Sequence, residues 1–217
     1  MSRNAVSEAR RPSLVRAAAW LAGGTLALLC VSGGTGIAAQ AGERASPPLE
    51  TLMRLLAQRR HGKVRYVEQD YLAVLSRPLR SSGVLIYDAP DHLEQRTLKP
   101  RAQTLVLDHG KVTVRRGDRT YRFDLQSHPQ VAPYVDAIRA TMAGDLAALE
   151  RVFEVRLEGS LAHWQLALVP LDRKIARGVQ RIRIDGAGND LESVEIDNPN
   201  GDRSVMTMGA PAGSPQP

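Results

Sequence analysis

The sequence predicts an α+β fold built on a single antiparallel sheet of about eleven strands, with a few helices lying against one face. Three observations predict it. Strand-like runs follow one another through short turns, and no helix separates successive runs, which excludes a parallel sheet. Apolar and polar residues alternate within many of the runs, so one face of the sheet is oily and the other charged. Helical periodicity is confined to the start of the domain and to one insert midway along the chain.

The elements follow in order. Residues 1–41 read as a cleavable secretory leader: Arg3, Arg10, Arg11 and Arg16 precede an apolar segment from Ala17 to Val31, and Ala39 and Ala41 supply small residues before the cut. That apolar core spans about fifteen residues and is broken by Gly23 and Gly24, short of the roughly 20 that a membrane-crossing helix needs. The one cysteine, Cys30, lies inside the leader, so the mature chain has neither disulfide nor thiol chemistry. Leu29 before it is a poor match to lipoprotein processing, and Pro12 and Ser13 spoil a twin-arginine export motif. General secretion to the periplasm is the expected route. The leader takes four arginines and one glutamate out of the 29 basic and 23 acidic residues, so a net charge of +6 falls to +3. Basic residues are mixed with acids and only 4% of the chain is aromatic, which argues against a nucleic-acid partner.

A linker, 42–47, leads into one domain over 48–209. "ASPPLETLMRLLAQRRHG" predicts an amphipathic helix of about three turns, capped by Ser46, striped by Leu49, Leu52, Met53, Leu55 and Leu56, and stopped at Gly62. From Lys63 to Leu125 the strands "KVRYVEQDYLAVL", "RSSGVLIYD", "HLEQRTL", "QTLVLD", "KVTVRR" and "TYRFDL" form a meander, with "DHGK" and "RGDR" as hairpin turns. "VAPYVDAIRATMAGDLAALERVF" gives two short helices divided by Gly144, the second capped by Asp145. Five further strands run from "FEVRLEG" to "DRSVMTM", separated by "GAGN" and "NPNG". The tail, 210–217, is expected to be disordered. Rows such as Tyr121, Phe123 and Leu125, or Trp164, Leu166 and Leu168, place the oily side on one face throughout. So few helices cannot fill so large a face, and a partly hollow interior is expected.

Chemistry is hard to find. His61, His92, His109, His128 and His163 stand at turns and strand ends without metal-ligand spacing. "SSG" at 81–83 is a strand entry rather than a nucleophile elbow, and "GAG" at 186–188 is a turn without the helix that a dinucleotide fingerprint requires. The carboxylates flank turns and form no acid and base pair. The chain is therefore read as a non-enzyme without metal or cofactor; an envelope enzyme would have to use His92 or Asp91.

The order of signals resembles the outer-membrane lipoprotein carrier, LolA-like, family. The similar pieces are "YVEQ" (66–69), "SSGVLIYDAPDHL" and "LKPRAQTLVLDHGKV", which cover residues 66–112; the strand and helix order extends the likeness to about residue 208. The resemblance implies an unclosed antiparallel half-barrel lidded by helices around a cavity for acyl chains. It implies as cargo the acyl groups of a lipoprotein or another lipid, an inner-membrane donor and an outer-membrane acceptor complex as partners, and a monomer. The family carries an arginine directly before the proline of the second strand, tying down the lid; here that position is Ala89, and Arg96 is the nearest substitute. The expected cavity wall is Leu85, Tyr87, Leu105, Leu107, Tyr121, Phe123, Trp164, Leu166 and Leu168, with Ile138, Met142, Leu146 and Leu149 on the lid. Each would serve equally as ordinary core. A lipoprotein sensor or interaction module of the same fold is the alternative function.

Overall fold

A side-chain period of two needs a partner surface for every second residue, and the computed structural model, which describes residues 48–128 and 132–211, shows how the chain supplies it. Helix α1 (Leu49–Leu56) precedes a six-stranded meander: β1 (His61–Tyr71), β2 (Leu79–Asp88), β3 (His92–Lys99), β4 (Gln103–Asp108), β5 (Lys111–Arg116) and β6 (Arg119–Asp124). Helices α2 (Ala132–Ala143) and α3 (Leu146–Glu150) follow. A second meander completes the chain: β7 (Phe153–Ser160), β8 (His163–Pro170), a short α4 (Arg173–Ala176), β9 (Arg181–Ala187), β10 (Asp190–Asp197) and β11 (Arg203–Pro211). All pairings are antiparallel in one 11-stranded sheet of order β6-β5-β4-β3-β2-β1-β11-β10-β9-β8-β7. The two meanders meet where β1 pairs with β11, and β6 and β7 are left as unpaired edges, so the sheet is not closed.

Several sequence expectations are corrected. The expected leader and the cap at Ser46 lie outside the described residues. Helix α1 is about two turns rather than three: Ala57 N–H still bonds the Met53 carbonyl, but Gly62, expected to stop the helix, pairs with Tyr87 inside β1. Strand β11 runs past the expected boundary at 209, because its end still pairs with Val64 of β1. Gly186 and Ala187 belong to β9 rather than to the turn. A Cβ at Gly186 would collide with the Trp164 ring and the Asp190 carbonyl, so glycine is required for close approach there. Helix α4, absent from the sequence reading, is one turn capped by the Asp172 side chain.

The cover for the inner face is chiefly α2. Ala132, Pro133, Tyr134, Val135, Ala137, Ala140, Thr141 and Met142 are buried around most of its circumference, as expected of a helix enclosed on several sides. One set of these residues joins Leu52, Met53 and Leu56 of α1, Leu149 of α3 and the inner rows of β7 to β10 in one apolar cluster. Ala132, Val135 and Met142 join Leu85, Leu93, Leu105, Leu107, Val112 and Val114 in a second. Ile138 packs against both. The α2–α3 turn is made at Gly144 (φ 67°), where a Cβ would strike the Met53 carbonyl, and Asp145 caps α3 by accepting from Ala148 N–H at 3.0 Å.

The inner face is not oily throughout. At one end of β1, β2, β3 and β11 it carries Tyr66, Glu68, Ser81, Gln95, Thr97 and Ser204. Tyr66 Oη lies 2.8 Å from Thr97 Oγ1, and Glu68 accepts hydrogen bonds from Ser81 Oγ at 3.1 Å and Ser204 Oγ at 3.3 Å. Glu68 is 3% exposed, and burial, reinforced by the negative charge of Asp70, pushes its carboxyl up to about 7. An unfolded glutamate ionises near 4.5, so the folded state holds the proton more tightly. Its contribution to stability is fully present below pH 4.5 and is lost as the pH rises through about 7. Urea titrations should therefore show stability falling by on the order of 3 kcal/mol between those limits, and Glu68→Gln should abolish most of that slope.

Candidate lipid-binding cavity

Where the two apolar clusters adjoin, the core is incomplete. A cavity of about 320 Å³ lies there, lined by Val64, Leu85, Tyr87, Met142, Leu191 and Met208, with Arg59, Gly62, Lys63, Asp190, Glu192 and Gly209 completing its wall. It draws on the first residues of β1, the last of β2 and β11, the start of β10 and the C-terminal part of α2. The walls are set by register: Val64 faces Leu85 across β1 and β2, and Tyr87 pairs with Gly62. Leu191 and Met208 border both clusters, so the gap lies along the seam between them.

Three of the expected site residues, Leu85, Tyr87 and Met142, line this cavity together. The others are distributed through the packed clusters. Leu105 and Leu107 are buried in the cluster under β1 to β5, with Phe123 packed at its margin. Trp164, Leu166, Leu168 and Leu149 are buried in the other cluster, against which Leu146 packs. Ile138 sits between the two. Tyr121 is 48% exposed on the edge strand β6. Val64, Leu191 and Met208 were missed because each stands at a strand end or at a register shift, where alternation no longer tells inside from outside.

Tyr87 is 1% exposed, and among the described residues its hydroxyl has no hydrogen-bond partner. Leaving such a group dry costs about 1–3 kcal/mol. Burial raises its pKa, opposed by Arg139 and Arg60 and reinforced by Asp91. The buried Tyr134 of α2, by contrast, is satisfied: its hydroxyl donates toward the Gly178 carbonyl at 2.7 Å and Asn198 Oδ1 at 3.1 Å.

Charged contacts pin the cover at the cavity's end of the sheet. Arg139 of α2 donates from Nη1 to Asp91 Oδ1 at 3.1 Å, in the turn between β2 and β3, and lies 3.6 Å from Asp136. Arg96, the expected substitute for the family's arginine, does not reach the helices; it is exposed and forks onto Glu94 at 2.6 and 3.0 Å. The tie to the lid is thus inverted, with its cation on the helix and its anion on the hairpin beside Pro90. Across the cavity, Arg59 donates to the Asn189 carbonyl at 2.9 Å and to Asn189 Oδ1 at 3.2 Å, and is ion-paired with Asp190. His92 sits 3.6 Å from Asp108, and among the described residues no group of His, Cys, Asp and Glu could hold a metal ion.

A family model described as outer membrane lipoprotein carrier protein LolA-like matches residues 41–214. No curated protein matches the chain. Similar solved structures include a LolA superfamily protein of Nitrosomonas europaea, at 11% identity and TM-score 0.41, covering 78% of this chain and 94% of that one. The lipoprotein LppX of Mycobacterium tuberculosis is similar at 9% identity and TM-score 0.40, covering 77% and 97%. The MucA/MucB complex of Pseudomonas aeruginosa contains a chain similar at 14% identity and TM-score 0.40, covering 77% of this chain and 59% of that one.

The Arg139–Asp91 pair is testable as a pair. Arg139→Asp and Asp91→Arg should each lower stability in urea, and the double exchange should restore part of the loss. A double-mutant cycle should give a coupling of about 0.5–1 kcal/mol, modest because both groups stay partly hydrated.

Proposed function

The chain belongs to the outer membrane lipoprotein carrier protein LolA-like family, and from that premise we propose that it is a periplasmic carrier, without catalytic activity, that shelters acyl chains of a lipoprotein or another lipid on their way to the outer membrane. The observation that carries the reading is the 320 Å³ cavity left between two packed cores, bordered by α2 and bridged by Arg59. Residues 1–41 would act as the cleaved leader that delivers the carrier to that compartment, and 48–209 as its working domain.

The energetics favour a protein of this kind. A sixteen-carbon chain exposed to water costs roughly 12 kcal/mol, at about 0.8 kcal/mol per methylene. No such chain crosses an aqueous compartment unsheltered at a useful rate. Binding at the full value would in turn prevent release, so a carrier needs a competing closed state. The contacts of Arg139 and Arg59 supply one: α2 is tied to the β2–β3 turn, and the connection after α1 to the β9–β10 turn, without a guest. Entry of cargo must loosen these ties, and their re-formation returns part of the binding energy at delivery.

Mass spectrometry under native conditions, on protein purified from its own periplasm, should show a copurified lipid, and a fluorescent fatty acid should bind the emptied protein. Labelled cargo should then pass to acceptor vesicles. Failure of both binding measurements sinks the carrier reading, whereas binding without transfer would mark the protein as a sensor that retains what it detects.

A further inference from the structure

At the end of the sheet opposite the cavity, β1 passes to β2 through residues 72–78, "LAVLSRP", and the β3–β4 turn carries "LKPR" at 98–101. The two connections lie side by side, because Ser82 of β2 pairs with Lys99 of β3. Val74 is 85% exposed there and Leu98 62%, and Tyr71, Leu75 and Leu79 are exposed with them. The other exposed large apolar side chains among the described residues, Tyr121, Val169 and Leu171, stand on or beside β6 and β8. Such a concentration at one tip marks a contact with another molecule or with a membrane.

The apolar loop is braced. Leu75 N–H bonds the Leu72 carbonyl at 2.9 Å, closing a turn around Ala73 and Val74. Asp202, held by Asn200 Nδ2 at 2.9 Å, accepts from Ala73 N–H at 2.9 Å and ties the loop to the β10–β11 turn. Arg203 lies over the Tyr71 ring, 5.7 Å from its centre. A loop already fixed in this way has less freedom to lose on docking.

Charge identifies the partner. Arg77, Arg80, Lys99 and Arg101 are exposed among these apolar residues, and among the described residues none of the four makes an ion pair or a side-chain hydrogen bond. Neither 71–82 nor 96–103 contains an acidic residue. The acids flanking the loop are Asp70, at the end of β1, and Asp202, already engaged with Ala73. Turns at the opposite end are acidic instead, with Asp88 and Asp91 around the β2–β3 turn and Asp108 at the β4–β5 turn. A protein partner would have to place an acid against each cation; a layer of anionic head groups meets all four at any rotation.

We propose that this tip docks on an anionic phospholipid surface, with Val74, Leu75 and Leu98 inserted below the head groups, Tyr71 at their level, and the four cations on the phosphates. Strands β1 and β2, of 11 and 10 residues, separate the tip from the cavity. Docking therefore leaves the cavity end uncovered, roughly 30 Å from the lipid. The proposal is independent of what the cavity carries.

The test sediments protein purified from the periplasm with phosphatidylcholine vesicles, alone or mixed with an equal part of phosphatidylglycerol. The protein should bind the mixed vesicles and leave the neutral ones largely free. Arg77→Gln and Lys99→Gln should each weaken binding about fivefold, and Val74→Ser about tenfold. Melting temperature and binding of a fluorescent fatty acid should stay unchanged in all three. Lys111→Gln, at the opposite end of the sheet, should bind the vesicles as the wild type does. In Val74→Trp, the added indole should emit further to the blue on the mixed vesicles. Absence of wild-type binding to the mixed vesicles, which would leave the tip to a protein partner, overturns the proposal. Equal binding to both vesicle types, an equal loss in Lys111→Gln, or unshifted Val74→Trp emission overturns it too. Failure of the wild type to bind the fatty acid counts against the carrier reading and leaves this proposal standing.

Discussion

An open sheet with one oily side has to hide that side, and the covering material here is little more than one twelve-residue helix with two short companions. Everything distinctive in the structure follows from this shortage of cover. Helix α2 meets it by being apolar around most of its surface and by serving two cores at once, Tyr134, Ala137 and Ala140 in one, Val135 and Met142 in the other. The buried side chains fall into two clusters, and the cavity lies beside them. What remains unfilled is the seam, which no single element is long enough to close.

Polar interactions then decide how firmly the cover is held. Tyr134 fixes one end of α2 through the Gly178 carbonyl and Asn198, groups contributed by the loops before β9 and after β10. Arg139 fixes the other end through a partly hydrated ion pair. The first contact is buried and satisfied; the second is of the weaker kind that water and salt can replace.

Much of this was legible in the chain. The eleven strands, the helical insert divided at Gly144, the Asp145 cap and the inward rows of β8, β9 and β10 all follow from local patterns of period two or 3.6. The cavity was legible only in part. Met142 was within reach of pattern reasoning, Leu85 and Tyr87 lie in a run, "VLIY", that is apolar on both faces and so does not tell inside from outside, and Val64, Leu191 and Met208 depend on the register of β1 against β11 and of β9 against β10, which residues far apart in sequence decide. The lid tie was not legible for the same reason. Arg96 and Arg139 are equally plausible as cations on paper, and only the fold shows that Arg96 turns outward to Glu94. The inward Glu68 and Ser81 were hidden because a charged residue on an alternating strand is assigned by default to the wet side.

The pairing of β1 with β11 joins the earliest strand to emerge with the last. Contacts so distant in sequence form late, because the intervening loop must be closed before they give anything back. Until then the first meander exposes an unprotected edge along β1 and an uncovered flank, a state prone to sticking to its own kind. Met208 and Gly209, from the final strand, also help enclose the guest site. A chain in which β11 has not yet paired thus lacks part of the cavity wall. The cavity is complete only when the first and last strands in chain order pair with each other.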